Sequence, residues 1–307
     1  MKSWMLGASL AIVLVAFGTF TTEGAIINSS LQPGVNQLTD VDAESLIKGA
    51  GNTEAGVIQI GDTIESVLGF GQLNSSSLAS YEGLNYELSA LTLLKVTSIS
   101  TDGLLPNGDQ AYNITFAAGF ADGTTTTQVY ESNGTSSTPG VTHKPDFARD
   151  SVSATHVGDP TPLTLAAALG YATDGQLIAT FGFGEANDFW TSSGVPLSFS
   201  EFKNFALDIS GAVFNFGQSL LTNPGNLPIL DDGVQSSITG DMYDLIGSGS
   251  LYGIKGFTTP FGGFTHTQVE FATTIPEPAT ACVWLGLACV GIVGRWCGRR
   301  RSVRTTS

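Results

Sequence analysis

Side chains able to do chemistry are few and scattered in this 307-residue chain. The three histidines, His143, His156 and His266, are far apart, and none belongs to an H-E-x-x-H helix, in which two imidazoles share a face around a metal. Gly182-Phe183-Gly184 lacks the third glycine of a dinucleotide-binding turn, and no P-loop or G-x-S-x-G nucleophile elbow occurs. Oxygen-rich stretches suit calcium better. Asp231 and Asp232 precede Asp241 and Asp244, and Asp40, Asp42 and Glu44 alternate nearer the start. Neither stretch has the spacing of an EF-hand loop or a Gly-rich calcium repeat, so solvated carboxylates are the simpler reading and no cofactor is assigned. Asn187-Asp188-Phe189-Trp190 sets the only tryptophan between residues 26 and 274 beside an amide and a carboxylate, as a sugar-stacking surface would; the plainer reading is a plug at the end of a core. No catalytic, cofactor-binding or metal-ligating residue is assigned.

Charge is distributed in blocks. The net charge is −15, but residues 26–275 carry six basic against 25 acidic side chains, while five arginines crowd the last 13 residues. An acidic body repels phosphates, which excludes a nucleic-acid partner. Lys2, the apolar run Leu6 to Phe17 and the small, polar residues to Ala25 read as an export signal over 1–25. Its apolar run is too short for a span of about 20 residues.

The other end is built from three parts. Pro276-Glu277-Pro278 makes a stiff extended segment that cannot join a helix. Ala279 to Gly294 is then uncharged, roughly 24 Å of helix, and a span over 279–298 follows if Arg295 snorkels. Arg299, Arg300, Arg301 and Arg304 complete a stop signal that keeps this end cytoplasmic. This order of motif (275–280), transmembrane helix and Arg-rich end (299–304) resembles the PEP-CTERM protein-sorting domain of bacteria, with Pro276, Glu277 and Pro278 on the motif's own positions. Tails of this type are also known as an ice-binding protein C-terminal domain, a term for the anchor; no regular threonine ladder follows Thr124–Thr127 to suit ice. The resemblance implies an exosortase as partner, a membrane-embedded cysteine transpeptidase that removes the tail and passes the protein towards the cell surface. It also implies company with exopolysaccharide in biofilm or floc. All three cysteines (Cys282, Cys289, Cys297) lie in or beside the span, so the body has no disulfide.

The elements of the 26–274 body are mainly strands. Tyr112, Ile114, Phe116 and Phe120 share one parity, as do Leu177, Ala179, Phe181 and Phe183; Val269 and Phe271 oppose His266, Gln268 and Glu270. Asp102-Gly103, Asn107-Gly108, Asp122-Gly123, Asn133-Gly134, Asp174-Gly175 and Asp232-Gly233 signal turns. The pattern predicts an antiparallel β-sandwich-like or barrel-like domain with a few short helices: Asp40–Lys48 capped by Thr39, one from Pro162 to Gly170, and one opened by Ser198 and Glu201. A Thr/Ser/Gly-rich stretch over 123–140 is a hairpin or seam inside one domain. The expectation is a non-catalytic exported surface or matrix protein, passing through the membrane and then reaching cell surface or extracellular polysaccharide. A secreted polysaccharide hydrolase is the alternative, and it needs two carboxylates about 5–9.5 Å apart in a cleft.

Overall fold

Period-two alternation buries one face of a strand, and a sheet with one apolar face must cover it. Here the sheet covers itself. The computed structural model describes residues 25–54, 56–77, 87–105, 108–132, 173, 175–197, 213–252 and 264–274. Along them run β1 (Gly34–Ile47), β2 (Thr63–Leu73), β3 (Ser76–Ser77), β4 (Glu87–Leu104), β5 (Gln110–Ala118), β6 (Thr125–Ser132) and β7 (Gln176–Gly182). After these come β8 (Phe189–Val195), β9 (Val213–Thr222), β10 (Val234–Gln235), β11 (Met242–Tyr243), β12 (Leu245–Tyr252) and β13 (Phe264–Thr273). Every strand pairing is antiparallel.

The pairings close a ring. β1 pairs with β2, β2 with β4, β9 with β12, β12 with β13, and β13 returns to β1 from Gly34↔Thr273 to Thr39↔Gln268. Between β4 and β9 the two remaining staves are each made of two strands laid end to end. β5 faces Leu94–Leu104 of β4 and β6 faces Glu87–Thr92, while β8 faces Val213–Gly217 of β9 and β7 faces Ser219–Thr222. β5 pairs with β8 and β6 with β7. Among the described residues the staves therefore occupy eight positions in sequence order, an up-and-down barrel; the small β3 extends β2, and β10 pairs with β11 outside the ring. Of the sandwich-like and barrel-like forms, closure is the one formed. Strands on both sides of the Thr/Ser/Gly-rich stretch belong to this one sheet.

Both interrupted staves break at the same level, at 119–124 and 183–188, and Phe183 N–H donates to the Thr124 carbonyl at 2.9 Å. Asp122 stabilises the first break by accepting from Thr124 N–H (3.0 Å), Thr125 N–H (2.8 Å) and the Thr125 hydroxyl (2.5 Å). These bonds, the Thr125 hydroxyl first, hold the Asp122 carboxyl below its ordinary pKa. The breaks shift parity. Ile114 and Phe116 are buried as expected, but Phe120 and Phe183 fall in the breaks, and in β7 Ile178 and Ala179 are both buried beside register shifts.

Two further expectations are corrected. Thr39 caps no helix: residues 40–47 lie in β1, where β2 satisfies the backbone along Asp40–Ile47. A nine-residue helix is marginal alone, and a ready-made ladder outcompetes it. Gly49, expected to end that helix, instead lets the chain pass against the Gly61 carbonyl, which a Cβ would strike. Asp102-Gly103 is not a turn but an irregularity inside β4, with Gly103 at φ +92° and the register slipping between Thr101 and Leu104. The expected helices at 162–170 and 198–205 lie outside the described residues, as do residues 1–24 of the export signal (1–25), Asn133-Gly134, His143, His156, the three cysteines and everything from 275.

Inside the ring are two apolar clusters. One gathers Leu38, Leu68, Phe70, Phe181, Phe216, Val269 and Phe271; the other Ile64, Leu94, Val96, Ile114, Phe116 and Val195; Trp190 packs against both. Exposed Lys95, Thr97, Thr115, Ser248 and Gln268 give polar points on the outside. An apolar lumen is the reverse of membrane barrels, whose apolar band faces out. Among the described residues no helix is long and apolar enough to cross a membrane.

Candidate functional site

Among the described residues, the barrel interior brings buried aromatic and polar side chains together. Trp190 on β8 faces Phe216 on β9 directly, and their rings stack with centroids 4.3 Å apart and planes 20° from parallel. Gly247, paired with Phe216 from β12, leaves room for that ring; a Cβ there would enter it. The body's tryptophan is thus a core element, as its plainer reading held. Asn187 presents its carbonyl to the Tyr243 hydroxyl (3.0 Å) on the outer face, where Tyr243 also meets Phe189 edge to face. The expected Asn187-Asp188-Phe189-Trp190 surface is therefore divided between the outside and the lumen.

Next to the aromatic stack runs a buried polar line. Thr92 and Thr127 hydroxyls lie 3.1 Å apart, Thr127 and Thr126 hydroxyls 3.4 Å, and Gln218 Nε2 donates to Thr126 Oγ1. Thr126 in turn donates to the Phe181 carbonyl at 3.2 Å. Gln218 is 0 % exposed, and its Oε1 has no protein partner; neither has the Trp190 indole N–H.

Gln218 and Trp190 line a cavity of about 80 Å³ whose other described walls are largely aliphatic and aromatic, with hydroxyls from Ser66, Thr92 and Thr127. At one end Ile27, Leu31, Leu227 and Ile229 close it. The 3-10 turn Ile26–Ser29 carries this lid, tied by Ile27 N–H to Glu131 Oε1 (2.6 Å) and by Ala25 N–H to the Gly225 carbonyl (2.8 Å). The described lining residues are not titratable, while Asp40, Asp42 and Glu44 of β1 pair with the lining residues Phe70, Leu68 and Ser66 of β2.

Acidic residues gather outside the ring. The Glu185 carboxyl is pushed above its ordinary pKa by Asp232 first, then by burial and by Asp188, Asp231 and Asp244. Burial pushes Asp244 up as well. Asp244 is not a free ligand, since its two oxygens accept from Leu220 N–H and Asp232 N–H, both at 2.7 Å. Asp241 stands apart from this set, its N–H bonded to the Thr239 hydroxyl. No group of three or more metal-ligating side chains forms among the described residues. Asp40, Asp42 and Glu44 lie along β1, and His266 lies in β13.

Sequence reasoning missed Gln218, Thr92 and Thr127. One sign was available: Gln218 shares the parity of Phe214 and Phe216, a polar residue on the apolar face of its strand. The sorting residues Pro276, Glu277 and Pro278 and the arginines Arg295, Arg299, Arg300 and Arg301 lie outside the described residues. The chain meets them just after β13, where Thr274 N–H donates to the Pro228 carbonyl at 3.2 Å. No curated protein and no solved structure matches this chain. Residues 274–301 match the PEP-CTERM protein-sorting motif, so the chain carries the signal by which exosortases handle exported proteins.

Proposed function

We propose that this protein is a non-catalytic barrel of the cell surface or extracellular matrix, held briefly at the membrane by residues 279–298 and released when an exosortase cleaves near Pro276-Glu277-Pro278. Association with exopolysaccharide in a biofilm is the setting that this reading gives it. The observation that carries it is the position of the sorting motif. The match begins at Thr274, one residue past the last stave, so cleavage beyond it leaves the ring whole.

Separate tags on the barrel and on the extreme C-terminus test the processing step in the native host. The two tags are expected on different species, with the barrel tag outside the cell. Both tags persisting on one full-length membrane species, equally with and without the exosortase, would refute it.

A further inference from the structure

The way the barrel ends restricts which bond near the sorting motif can be cut. A nucleophile must come within about 3–3.5 Å of the scissile carbonyl carbon, with hydrogen-bond donors about 3 Å from its oxygen. Chain flanked on both edges admits neither, and the last residues of β13 are flanked in this way. On one side they pair with β1, Val35↔Ala272 and Gly34↔Thr273. On the other, Leu230 N–H donates to the Ala272 carbonyl at 2.8 Å, Ile229 bridges to Thr273, and Thr274 N–H donates to the Pro228 carbonyl at 3.2 Å.

Side chains lock the same point. Thr273 is 2 % exposed; its hydroxyl accepts from Asn36 Nδ2 (3.0 Å) and donates to the Gln32 carbonyl (2.6 Å). Buried Asn36 accepts in turn from Gln32 N–H (2.9 Å) and Asn74 Nδ2 (3.0 Å). The opposite jaw is set by Asn223, whose Oδ1 accepts from Leu227 N–H (2.7 Å) and whose Nδ2 donates to the Leu227 carbonyl (2.8 Å). A clasp therefore runs as far as the Thr274 N–H.

The bonds that follow differ in chemistry and clearance. Ile275–Pro276 and Glu277–Pro278 carry a pyrrolidine ring on the nitrogen that must leave, where it crowds the preceding residue. Pro276 is two residues past Thr274, at most about 7 Å away. Protein walls that cross a membrane are helices or closed barrels, and a helix with its side chains is about 10–12 Å thick. Four residues reach up to about 14 Å, so Pro278–Ala279 is the first bond with room for such a wall between itself and the clasp. Beyond it the uncharged run from Ala279 begins, whose backbone groups must be satisfied within the membrane.

We propose that the bond cut is Pro278–Ala279 and that the clasp around Thr273 bars bonds nearer the barrel. This rests on processing by an exosortase. The C–N bond between Pro278 and Ala279 breaks; the Pro278 carbonyl passes to water or to an acceptor's hydroxyl or amine, which loses a proton, and the Ala279 nitrogen gains one. The released barrel keeps Ile275-Pro276-Glu277-Pro278.

The test uses the full chain, tagged at its extreme C-terminus, in the native host with and without the exosortase. N-terminal sequencing of the tagged remnant is expected to start at Ala279, and mass spectrometry of the barrel to end at Pro278, bare or carrying an acceptor. A remnant starting elsewhere, or a barrel ending at another residue, overturns the proposal and leaves exosortase processing standing. Absence of any exosortase-dependent cleavage overturns both. Deleting Thr274 moves Ile275 into the clasp and draws the bond about 3.4 Å closer to the barrel. That deletion is expected to slow release of the barrel at least fivefold, whereas Thr274→Ser leaves the rate unchanged. Equal rates for the deletion and the wild type show that the clasp sets no limit.

Discussion

Trp190 shows how one side chain is assigned by its neighbours. Beside Asn187 and Asp188 it has the surroundings of a sugar-stacking residue, but it packs flat on Phe216, which covers Gly247 in turn, and it joins the two interior clusters. Replacing it by alanine removes a ring that the lumen cannot refill by collapse, so Trp190→Ala is expected to cost about 3 kcal/mol of stability by urea denaturation. A surface tryptophan that only stacked on sugar would change stability by no more than about 0.5 kcal/mol. That smaller change would remove Trp190 from the core.

At the scale of an element, the segment 48–62 is organised by one carboxylate. Asp62 is 0 % exposed and receives Lys48 Nζ (2.6 Å), Asn52 Nδ2 (2.6 Å), Gly49 N–H (2.7 Å) and Gln59 N–H (2.9 Å). The segment then reaches the interior through Ile58, whose N–H donates to the Leu197 carbonyl at 2.7 Å. Burial alone would raise the Asp62 pKa, but bonds from Lys48, Asn52, Gly49 and Gln59 outweigh it and hold the carboxyl below its ordinary value. A lowered folded-state pKa means stability that is present above the unfolded value and lost as pH falls through the folded one. The wild type is therefore expected to lose stability progressively below about pH 4. Asp62→Ala should cost roughly 3 kcal/mol at neutral pH, by taking the counter-charge from Lys48, whose ammonium keeps only the Val57 carbonyl and Gln59 Oε1, and by leaving the Gly49 and Gln59 N–H groups without their acceptor, and should flatten that acid limb. An acid limb equally steep in the variant would place its origin elsewhere. Glu185 and Asp244, with raised values, act in the opposite sense: what their shifts contribute is present at low pH and lost as pH rises through their folded values.

For the whole molecule, closure is the decisive contact. β1 and β13 are the first and last staves, and their pairing joins Gly34 to Thr273 across nearly the whole body. Without β13, both β1 and β12 become open edges and the lumen loses Val269 and Phe271. A chain ending at Thr274 is expected to unfold in one cooperative transition, whereas a chain ending at residue 263 should show none by circular dichroism. Cooperative unfolding of the shorter chain would show that the ring does not depend on its closing stave.

Several features of this protein are local enough to be legible in its sequence. The sorting tail is one, because proline stiffness, apolar length and positive charge act within some thirty contiguous residues. The β class is another, since alternation at Ile114-x-Phe116 and Val269-x-Phe271 is a property of each strand alone. Other features were not legible. Whether strands close into a ring depends on pairs as distant as Gly34 and Thr273, and no local propensity encodes them. The same distant ladders turned a capped helix at 40–48 into part of β1 and drew parity slips where two staves break side by side. The lumen is wholly a product of the tertiary structure: Gln218, Thr127 and Trp190 come from three staves, and only closure brings them around one cavity.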